Sequence, residues 1–243
     1  MRALLAQLRV ELLLGVRRGE SVLITLVVPV VLLVFFGAVA PPPGTPAERP
    51  ADFLVPGLLA LAVMSTSMVS LGIATAYERY YGALKRLLGS PLPRASLLAA
   101  KTLSVLLIQA VQIAVLVLIA RFAFGWSPSG SPLAALAALA LGSAAFAGLG
   151  LLMAGALRAE ATLAVANGLY LLFLLLGGFV FPIERLPGPL EPAARLLPAA
   201  ALSDATRAAL QGQPGQEVVG PLGLLAAWAV VAIGAAALTF RAD

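Results

Sequence analysis

Hydrophobic residues recur along the 243-residue chain in long unbroken runs rather than at alternating or amphipathic spacing. A bilayer core of about 30 Å needs about 20 apolar residues per helix, so the informative features are the length of each run and where polar residues interrupt it. Six runs meet the requirement: 21–40, 53–76, 102–120, 133–157, 161–181 and 218–240. The pattern predicts an all-α polytopic membrane protein with six transmembrane helices forming a single domain over 1–243.

The segments between the runs differ in kind. In residues 1–20, Leu4, Leu5, Leu8, Leu12 and Val16 fall on one helical stripe flanked by Arg2, Arg9, Gln7, Glu11 and Arg18. That arrangement predicts an amphipathic helix on the membrane surface, either an anchor for the first span or a shelf for a cytosolic partner. Residues 41–52 (PPPGTPAERPAD) are too rich in proline to propagate a helix. Residues 182–217 carry six prolines, yet their Ala and Leu content predicts short helices between them, in an external re-entrant segment that folds back onto the membrane face. A plain surface loop is the simpler alternative for that stretch.

Charge sets the orientation. Eleven of the 16 Lys and Arg residues fall on the side of the N-terminus and five on the other; cations concentrate on cytoplasmic loops, so both termini are expected inside a plasma or inner membrane. The net charge of +5 belongs to this topology and not to a nucleic-acid surface, since 61% of the residues are hydrophobic and only 11% charged, against roughly 25% in soluble domains. The basic start, first apolar run and "AVA" at 38–40 resemble a secretory leader, but the run is too long and Pro41 follows the would-be cut, so it is expected to remain as a span.

Candidate chemistry is sparse. The chain has no Cys and no His, which excludes structural disulfides, Cys/His metal sites and imidazole catalysis. Polar residues inside the runs are hydroxyls and amides (among them Ser65, Thr66, Ser67, Ser70, Thr75, Gln109, Gln112, Ser143 and Asn167), with no Asp, Glu, Lys or Arg near a span centre. Ion-coupled transporters usually carry such charges or broken helices, which counts against a secondary transporter. Membrane enzymes need clustered acidic, His or activated Ser groups, and here the acidic residues are scattered. There is no G-x-x-x-x-G-K-[ST], hence no P-loop.

Between the second and third runs lies YERYYGALKRLLGSPLPRASLLAAK, residues 77–101. A helix is expected to continue from Glu78 to about Leu88, ended by Gly89, Ser90, Pro91 and Pro93. Aromatic residues interleaved with cations suit a protein contact surface as well as an interfacial belt.

This stretch resembles a family. Glu78-Arg79, Gly82, Leu84, Leu87-Leu88, Ser90-Pro91-Leu92 and Arg94 are similar to the E-R…G-x-L-x-x-L-L-x-[ST]-P-L-x-R signature of ABC-2 type permeases, the membrane subunits of ATP-binding-cassette exporters. A second likeness lies in GGFVFPIERLP (177–187) with RLLPAAALSDATRAAL (195–210), similar to the family's fifth-span exit and its P…DA-R external segment. Ala83-Leu84-Lys85 departs from the commoner Thr-Leu-Glu; a basic version resembles the drug and antibiotic exporters of the family. The resemblance implies that Glu78, Arg79, Tyr81, Leu84, Lys85, Arg86 and Leu88 belong to a coupling helix that docks on a separate ATPase subunit. That subunit would bind ATP-Mg, and this chain would hold no cofactor of its own. Two permease chains, identical or paralogous, would pair. A path lined by Phe35, Met64, Ser65, Thr66, Ser67, Met68 and Phe173, narrowed at its exit by Phe179, Phe181 and Pro182, would suit an amphiphilic drug, a lipid or a lipid-linked glycan. A receptor-like or assembly protein using the same knob is a further alternative.

Overall fold

The computed structural model describes residues 8, 9, 13, 19–39, 50–83, 94–212 and 218–239. Among them there is no strand, and the apolar runs are helices. The first, α1 (Gly19–Val34), continues as a wider π turn over Phe35–Val39. The second, α2 (Pro50–Tyr80), is helical for 31 residues but widens to a π turn at Ser65–Ser70. Next come α3 (Arg94–Phe124), α4 (Pro132–Ala156) and α5 (Ala159–Leu176), then a 3-10 turn (Ile183–Arg185), α6 (Leu190–Arg195), α7 (Pro198–Gln211) and α8 (Val219–Thr239).

Five of these stretches are long and apolar enough to cross a membrane: Pro50–Tyr80, Ala100–Phe124, Pro132–Ala156, Ala159–Leu176 and Val219–Thr239. The shorter apolar helix Leu26–Ala38 lies in the first predicted span. In hydrocarbon every backbone group must be bonded within the chain, and the helices over these runs meet most of that demand.

The core forms around α2, which is buried along nearly its whole length, while α3, α5 and α8 leave most of their apolar residues at least partly exposed. Helix α4 packs along α8 and against α2, and small residues let the backbones approach: a Cβ on Gly150 would lie 2.7 Å from Met68 O. Exposed apolar helix faces of this extent fit contact with lipid or another chain and not with water.

Two helix ends differ from the sequence expectation. The fifth run was expected to remain helical to residue 181, but α5 stops at Leu176 and Gly177–Phe181 forms a bend. The run is uniformly apolar, so hydropathy does not register the glycine pair that breaks it. The helix expected from Glu78 to Leu88 is interrupted after Tyr80. Gly82 takes φ +68°, a conformation open to glycine, and its N–H returns to Arg79 O at 3.0 Å, closing the helix. Ala83 is helical again; Leu84, Lys85, Arg86 and Leu88 lie outside the described residues, as do most of residues 1–20 and the loop 41–49.

The segment after the bend is helical and packed. Helix α7 is buried over most of its length against α2, α4 and α8. Its C-terminal carbonyls are taken up by the turn before α4, where Ser129 and Gly130 N–H bond Leu210 O and Ser131 N–H bonds Ala209 O. Gln211 Nε2 donates to Asp52 O at 2.7 Å, tying the same end to the start of α2.

Candidate coupling and pathway sites

The last turn of α2 sorts its side chains by direction. Tyr80 and Tyr81 project outward, 63% and 66% exposed, with Tyr81 edge-on to Tyr80 at 5.1 Å and stacked on Tyr77 at 6.1 Å. Glu78 and Arg79 point inward. The Glu78 carboxylate pairs with Lys101 Nζ of α3 at 2.5 Å, and the two side chains are only 10% and 14% exposed. The Arg79 guanidinium donates through its two terminal nitrogens to Gly155 O and Leu157 O, at the end of α4. A helix leaves its last carbonyls without internal donors and partly negative; Arg79 supplies both charge and donors there. Of the residues carried over for coupling, the structure thus brings Glu78, Arg79 and Tyr81 to one helix end, with Lys101 added to them.

At mid-length the π turn of α2 meets two amides from α3. Gln109 Nε2 donates to Ser67 Oγ at 2.5 Å and reaches Val63 O at 3.3 Å, while its Oε1 accepts from Ser143 Oγ of α4 at 2.8 Å. Thr66 Oγ1 lies 2.7 Å from Gln112 Oε1. The wider turn misaligns helical carbonyls, and buried polar groups without partners are costly. The network answers both demands and joins three helices. Gln109 and Gln112 are three residues apart, hence on one face of α3, a spacing that could have linked them to the hydroxyls of α2 from sequence alone.

The residues expected to line a path are divided by the structure. Met64, Ser67 and Met68 are wholly buried inside the chain's own core, and Phe173 sits edge-on to buried Phe146 at 5.9 Å. Phe35 and Phe181 are exposed and meet through Phe36, whose ring is 5.1 Å from the first and 5.8 Å from the second. Phe179 is fully buried, and its backbone lies against α2 so closely that a Cβ on Gly57 would fall 2.0 Å from Phe179 O. Pro182, directly after Phe181, is half-buried.

That bend is held from α7. Gly178 O accepts from Ser203 Oγ at 3.0 Å and from Arg207 Nη2 at 2.8 Å. The Arg207 guanidinium lies 4.0 Å from the centre of the Phe53 ring and 3.4 Å from Asp204 Oδ1. Burial pushes the Asp204 carboxyl, outside the five membrane-length helices, above its usual range, and Arg207 and Arg195 oppose the shift. The sequence marked Asp204 and Arg207 by motif alone; their partner at Gly178 is a backbone carbonyl, which no residue type announces. No group of three acidic residues able to hold a metal occurs among the described residues.

A family model described as ABC-2 family transporter protein matches residues 41–238. The linearmycin resistance permease protein of Bacillus subtilis (strain 168) is 30% identical over 201 residues, 81% of this chain and 50% of that protein. ABC transporter G family member 20 of Dictyostelium discoideum is 30% identical over 167 residues, 68% of this chain and 23% of that protein. The chain therefore spans half or less of the length of these curated relatives.

Proposed function

Since the chain belongs to the ABC-2 family of transporter membrane proteins, we propose that it is the permease subunit of an ATP-driven exporter whose ATPase is a separate chain. The observation that carries this reading is the end of α2. An exposed pair of tyrosines stands on a helix end that Glu78 and Arg79 tie to α3 and to the end of α4. An ATPase docked on Tyr80, Tyr81 and the following residues 84–88 would bind ATP-Mg and move that end; the permease would supply no catalytic group. Aromatic anchors with neighbouring cations suit such an interface.

In this reading Gly19–Val39 completes a sixth crossing, both termini and residues 78–100 are cytoplasmic, and 41–52 with 182–217 is external. The exposed apolar faces of α3, α5 and α8 are shared between lipid and a second permease chain. The path runs between the two chains with Phe35 and Phe181 at its outer end, and its apolar and hydroxyl character favours an amphiphilic substrate: a drug, a lipid or a lipid-linked glycan. The relative in Bacillus subtilis is a resistance permease by name, which supports the drug class among these.

Tagged chain purified from its native membranes should carry a P-loop ATPase in stoichiometric amount. The double variant Tyr80→Ala/Tyr81→Ala should retain its fold and lose that subunit. A chain that retrieves no ATPase, in membranes where it is otherwise intact, would return the choice to a transporter driven by other means.

A further inference from the structure

We propose that Arg79 is the positioning residue that makes the end of α2 and the α4–α5 turn move as one body, so that a displacement received at the tyrosines reaches α5. The inference rests on the permease reading above and deepens it.

Two independent features point to Arg79. The first is the bonding itself: a planar guanidinium donates to two carbonyls, Gly155 O and Leu157 O, that flank the end of α4. A fork of this kind fixes direction as well as distance, which a lysine ammonium does not. The second is the surface around it. Beyond the close approach of Gly72 to Gly150, the buried apolar cluster between the end of α2 and the α4–α5 turn is Ala76, Ala154 and Ala159, with Tyr77 packed against it. Alanine methyls offer little relief to interlock, so this contact resists separation but not sliding. Arg79 supplies the missing constraint along the slide.

The receiving turn is stiff. Leu157 N–H returns to Met153 O at 2.9 Å, and Thr162 Oγ1 lies 3.3 Å from Met153 O and 3.1 Å from Arg158 O, bracing the first turn of α5 against the last of α4. At its other end α5 runs into Gly177–Phe181, the bend that abuts Gly57. A rigid helix thus connects the Arg79 contact with the opposite end of the molecule. Glu78 and Lys101 serve the other arm, toward α3.

The test uses the assembled complex with its ATPase, in liposomes, taking advantage of a chain without native cysteine. One nitroxide pair at Ala83→Cys and Phe122→Cys reports movement of the α2 end; a second at Ala83→Cys and Glu160→Cys reports whether the α4–α5 turn follows it. On trapping with ATP and vanadate, the first distance should change and the second should stay fixed. In Arg79→Gln the second distance should also change, with the detached population rising about tenfold or more, since two charge-assisted hydrogen bonds are lost and a neutral amide replaces at most one. Arg79→Lys, which keeps the charge but not the fork, should fall between. If Arg79→Gln does not fold, the unsubstituted complex still decides. A second distance that changes there as much as the first overturns the role of Arg79 alone. Absence of an ATPase, or of any nucleotide-dependent change in the first distance, overturns the permease reading with it.

Discussion

The two ends of α2 are held by opposite means. Around Gly57 the helix backbone lies directly against the backbone of Phe179, with Arg207 of α7 clamping the same bend. Around Glu78 the contacts are charged side chains reaching across to α3 and α4, and the outermost residues are exposed tyrosines. Close-packed backbone tolerates almost no displacement. Ion pairs and side-chain donors can break and re-form as helices shift. The contrast teaches that one end of this helix is locked by close packing and the other is held by contacts that can exchange.

The largest expected effect comes from filling the fixed end. Gly57→Leu places side-chain atoms where Phe179 O already stands and should cost about 3 kcal/mol or more, read as a lowered thermal unfolding midpoint in detergent. Phe179→Ala, which empties a fully buried site, should cost about 3 kcal/mol, whereas Phe181→Ala, at a ring 41% exposed, should cost less than about 1 kcal/mol. Equal destabilisation by the two would break the distinction between a packed bend and an open rim.

At the other end, Glu78→Gln leaves Lys101 largely buried without its carboxylate and should cost about 2 kcal/mol, less than a fully buried pair because both groups retain some exposure. Adding Lys101→Met should recover most of that loss, as measured by the same melting midpoint. The smallest effect on stability belongs to Tyr81→Ala, at most about 0.5 kcal/mol, while retention of the ATPase on the purified chain falls. A Tyr81 variant that melts early would show the Glu78 end of α2 to depend on packing as the Gly57 end does.

Most of the helical frame was legible because membrane helices are long and uniformly apolar, a signal carried by residue type alone. The bend at Gly177–Phe181 was not, since Gly-Gly-Phe-Val-Phe is as apolar as the helix before it. At the candidate site, the sequence singled out Glu78, Arg79 and Tyr81 as a contact surface, but only coordinates separate the inward charges from the outward rings. Arg79 meets carbonyls 76 and 78 residues away, and backbone partners leave no trace in composition. The same blindness applies to Met64, Ser67 and Met68: a run apolar on all sides does not say which face turns inward, and these three turn into the core.

The π turn at Ser65–Ser70 bears on how α2 can shorten. Each residue advances an α-helix by about 100°, and a π turn holds roughly one residue more than an α turn without turning the helix beyond it. Loss of Val69, with relaxation of the turn to ordinary α geometry, would therefore leave Glu78 and Arg79 aimed as they are. Loss of one residue between 71 and 77 would swing both about 100° away from Lys101 and the end of α4. Along this helix, the six residues of the wide turn are the place where a one-residue deletion can be absorbed.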